Sequence, residues 1–135
     1  MIITDTAQID LLAEKLLNDN SEYRSIDPTD REYAFLKRHS ASLKAVRMDS
    51  DDFSQTLITA FRDELMQAAP ERMHTILLHI GTKELPTMEQ INHLLETLHN
   101  GLEHVNLIWE TASNREEEGV TLFAVIGYRF KNKKQ

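Results

Sequence analysis

The chain has 135 residues, of which 41% are hydrophobic and 27% charged, and it carries a net charge of −7 at pH 7. That length suits one domain able to bury about two-thirds of its unfolded surface, and the acidic balance argues against electrostatic capture of nucleic acid. With no cysteine, disulfide frameworks, thiolate metal sites and cysteine nucleophiles are excluded.

In chain order, the first predicted element is a helix over Thr6–Leu17, with Asp5 as cap and Gln8 completing a capping box. Ile9, Leu12, Ala13, Leu16 and Leu17 form its apolar stripe. Asn18-Asp19-Asn20-Ser21 ends it, and Asp27-Pro28 starts a second helix that fades near His39-Ser40, with Tyr33 and Leu36 inward. Residues 43–48 read as a short strand. Ser50 or Asp49 caps a third helix, with Asp51 and Asp52 in its first turn and Phe53, Leu57, Ile58, Phe61 and Leu65 on its core face.

The run from His74 to Ile80 is almost continuously apolar and reads as a central strand buried on both faces. After a loop from Gly81 to Pro86, Thr87 and Gln90 form a capping box. The helix that follows buries Ile91, Leu94, Leu95 and Leu98, and Gly101 terminates it. A strand from Val105 to Thr111, a polar turn at residues 114–119, a long strand from Val120 to Phe130 and a basic tail complete the chain. The expected fold is therefore α+β: a mixed four-stranded sheet with crossover helices and an N-terminal helical extension. Residues 1–40 form the extension and residues 43–130 the α/β unit of a single domain. The crossover helices imply parallel neighbours, and the last two strands are close enough for an antiparallel hairpin.

Both faces of this sheet are apolar. On the last strand Val120, Leu122, Ala124, Ile126 and Tyr128 point one way, while Thr121, Phe123, Val125 and Gly127 point the other. Val105, Leu107 and Trp109 oppose Ile108 in the same manner. Two crossover helices can cover one face, so the other needs its own cover. The candidates are the leucine-rich first helix or another protein chain, which makes Leu12, Leu16, Ile108, Phe123 and Val125 the candidate interaction residues.

Residues 43–130, roughly two-thirds of the chain, resemble the C-terminal domain of the tubulin/FtsZ family. The resemblance rests on the strand Thr75 to Ile80, the Gly81 loop, the helix from Thr87 to Leu98, the strand Asn106-Leu107-Ile108-Trp109-Glu110 and the closing strand from Val120-Thr121 to Gly127. It implies a fold and a habit of protein–protein contact. The family's GTPase domain and glycine-rich phosphate loop have no counterpart, since the four glycines Gly81, Gly101, Gly119 and Gly127 are scattered. Asp51-Asp52-Phe53 stands at the wrong place in the element order for the family's catalytic loop, so no catalytic or nucleotide-binding residue carries over.

The remaining chemistry is sparse. Glu89, His93 and Glu96 share a helix face at i, i+4, i+7 and read as a solvated stripe with no metal. His74 and His79 have opposite parity on their strand and so are not expected to share one face, and an approach of either to His104 depends on a register that sequence does not supply. No serine lies in a Gly-x-Ser-x-Gly elbow. The N-terminus lacks a secretory pattern and no apolar run spans a bilayer, which together point to the cytoplasm. The expected function is a non-catalytic protein–protein interaction module that self-associates or binds a larger protein, without cofactor, GTP, nucleic acid or membrane. The competing expectation is a small enzyme or ligand-binding protein with a pocket between the sheet and the N-terminal helices.

Overall fold

The computed structural model describes residues 2–17, 23–24, 30–113 and 118–130. The elements are β1 (Ile2–Ile3), α1 (Thr6–Leu17), β2 (Tyr23–Arg24), α2 (Asp30–Arg38), β3 (Leu43–Ser50), α3 (Gln55–Met66), β4 (Met73–Thr82), α4 (Met88–His99), β5 (Asn106–Ser113) and β6 (Val120–Tyr128), with a 3-10 turn at Pro70–Arg72. The fold is mixed α+β. The expected helix start at Asp27-Pro28, the polar stretches 18–21 and 114–117, and the tail at 131–135 lie outside the described residues.

The sheet has six strands among the described residues, in the order β1-β3-β6-β4-β5-β2. Four of them are the expected long strands. The other two are two-residue strips: β1 pairs with Val46 and Ala45 on β3, and β2 pairs with Ser113 and Ala112 on β5. The expected hairpin between the last two strands is absent. β6 lies antiparallel between β3 and β4, while β5 pairs in parallel with the other side of β4. The physical reason lies in burial: every residue of β6 is buried, so it takes a central place with strands on both sides.

Capping follows the local chemistry with one correction. Thr87 and Gln90 form the predicted capping box on α4, and Gly101 follows its end with φ +99°. The α3 cap is Ser54, which accepts a hydrogen bond from the Leu57 amide. Neither Ser50 nor Asp49 caps it, because β3 runs on to Ser50 as a partner of Val120 and leaves Asp51 and Asp52 in the connection.

One face of the sheet carries the larger core. Val46, Ile76, Leu78, Ile80, Leu122, Ala124 and Ile126 meet Leu57, Phe61, Leu65, Leu94 and Leu98 from α3 and α4. The other face carries Ala45, Leu77, Phe123 and Val125, packed with Ile3, Ile9 and Leu36. The parity expected along β6 therefore holds residue by residue, and the second face is covered by α1 and α2 of the same chain. Among the described residues no helix is long and apolar enough to cross a membrane.

Candidate functional site

The candidate interaction residues converge on the second face. Phe123 and Val125 are wholly buried there, and Leu12 and Ile108 pack half-buried against them. Leu16 lies on the α1 backbone, and its side chain is outside the described residues. α1 and α2 are joined by polar contacts. The Tyr33 hydroxyl donates to Asp10 Oδ1 at 2.5 Å, and Lys37 Nζ reaches the same oxygen at 3.0 Å. These two donors hold the Asp10 carboxyl below its usual range. Burial, then the bond to Asp10, pushes the Tyr33 hydroxyl up. The ion pair is solvent-exposed, so it orients the helices more than it stabilises them.

α2 sits close to the sheet because β6 ends in Gly127. A Cβ there would fall 2.3 Å from Ser40 Oγ and 2.5 Å from a Leu36 methyl, so only glycine leaves room for the α2 end. Ser40 Oγ bonds His74 Nε2 at 2.8 Å, and His74 Nδ1 bonds Thr75 Oγ1 at 2.8 Å. Burial lowers the His74 pKa and favours the neutral imidazole.

The parity expectation for the two histidines needs correction here. A register irregularity between Met73 and Thr75 shifts β4 relative to β6, so His74 lies on the α2 side with Ser40 and Leu36. His79, on the same side but farther along β4, is buried and bonds Glu110 through Nδ1. The strands set these two residues directly opposite each other. Gly81 keeps space for that imidazole, since a Cβ there would lie 2.9 Å from His79 Nε2. His104 joins neither histidine; its Nε2 donates to the Pro70 carbonyl. The sequence carries one signal for the His79–Glu110 pair: each is an ionisable residue set within an apolar stretch of its strand. Their shared face required the parallel register.

The metal candidates stay apart from this face. His93 bonds Gln55 on α3, while Glu89 and Glu96 are exposed. Among the described residues no group of three or more metal-ligating side chains is gathered.

Beside α2 the second face opens into a groove of about 360 Å³ with apolar walls from Phe35, Leu36, Leu77 and Ile108 and polar groups from His39 and His74. Phe35 is 53% exposed and stacks on His39 with ring centroids 4.0 Å apart. The groove borders the outer edge of β5. Among the described residues, β2 is the strand on that edge, and it pairs only at Ala112 and Ser113. Residues 106–109 carry no charge, and Leu107, Ile108 and Trp109 are half-buried. The opposite edge differs. β3 is partly paired by β1, and beyond that pairing it presents Arg47 and Asp49, bridged at 3.3 Å.

No family model matches the chain, and no curated protein matches it by sequence. Among solved structures, its fold is similar to FtsZ from M. jannaschii, seen as an empty dimer. The TM-score is 0.61 at 16% identity, over 88% of this chain and 35% of the FtsZ chain. The chain thus spans about a third of that protein's length, and the likeness is one of fold.

Proposed function

We propose that the chain is a non-catalytic protein-interaction module whose working surface is the β5 edge with the adjoining α2 groove. In this reading the third of FtsZ that it resembles is the C-terminal domain. Contact with other chains, as in the FtsZ dimer, is the property retained, and GTP, cofactors, nucleic acid and membranes have no part. One observation carries the proposal: among the described residues β2 pairs only with Ala112 and Ser113, and residues 106–109 of β5 carry no charge on a chain of net charge −7, with Leu107, Ile108 and Trp109 half-buried. Sheet edges are templates for pairing unless charge, proline or cover protects them.

The test places a photo-reactive amino acid at Trp109, at Phe35 and, as a control on the other helix layer, at Glu89. Protein adducts at the first two positions and none at the third are expected in the host cell. Absence of adducts at Trp109 and Phe35 overturns the reading.

A second reading, a small-ligand site or small enzyme pocket, is favoured by the same groove, where the uncharged His74 imidazole adjoins apolar walls. It requires chemical-shift changes at His74 and Leu77 with a small-molecule library and no dependence on the β5 edge.

A further inference from the structure

We draw no further inference here: the strongest candidate, the groove beside α2 walled by Phe35, Leu36, Leu77 and Ile108, belongs to the surface already proposed, and nothing among the described residues shows what covers it.

Discussion

The two faces of the sheet are covered to different depths. On one, α3 and α4 press Phe61, Leu65 and Leu94 onto the fully buried strand residues Leu78, Leu122 and Ile126. On the other, α1 and α2 bring mainly Ile9 and Leu36 to Ala45, Leu77, Phe123 and Val125 beside Ile3, and Leu12, Tyr33, Leu43 and Ile108 around them are only half-buried. His79–Glu110, His74–Ser40 and Asp49–Thr121 all occupy the second face. Apolar burial scales with the area removed from water, so the first face supplies most of the folding free energy. The second has the composition of a surface that was closed locally, and it is there that the groove beside α2 occurs.

Three changes test this contrast. Phe61→Ala removes the largest α3 side chain from the first face and should cost about 3–5 kcal/mol, measured by urea unfolding, with all elements lost in one transition. A cost under about 1 kcal/mol would place the principal core elsewhere. The paired change Leu12→Asp with Leu16→Asp on the second face should cost about 2–4 kcal/mol and alter the assembly state, because it detaches α1 and uncovers Phe123. Unchanged melting and sedimentation would mean that α1 covers nothing. The smallest effect is a pH dependence at His74. Its folded pKa lies below the unfolded value, so the unfolded chain binds the extra proton. Stability should fall as pH drops through about 6.5 toward the lower folded pKa, and His74→Gln should flatten that part of the profile. An identical melting profile for both proteins between pH 5 and 7 would remove His74 from the balance.

Much of this contrast was readable from residue spacing. The α1 stripe at Ile9, Leu12 and Ala13, the capping box at Thr87, the terminator at Gly101 and the alternation along β6 are local patterns, and the structure reproduces them. The side chains that make the second face unusual were harder to read. His74 changed side because β4 slips by one position near Met73, and a bulge leaves no mark in hydropathy. His79 and Glu110 stand 31 positions apart in the chain, and only the parallel register sets them together. The order of the strands is hidden for a related reason. A strand's apolar alternation reveals its faces but not its neighbours.

What the amino-acid order determined by itself is the kind and approximate position of the four helices and the four long strands, and the side of β6 that faces each helix layer, since these follow from periods of 3.6 and 2 along the backbone. Tertiary structure alone decided that β6 enters between β3 and β4, that α1 and α2 close the second face, and that β5 pairs in parallel with β4 and so brings Glu110 to His79. Those outcomes depend on a competition among non-local pairings, settled by which strand had two apolar faces to bury at once.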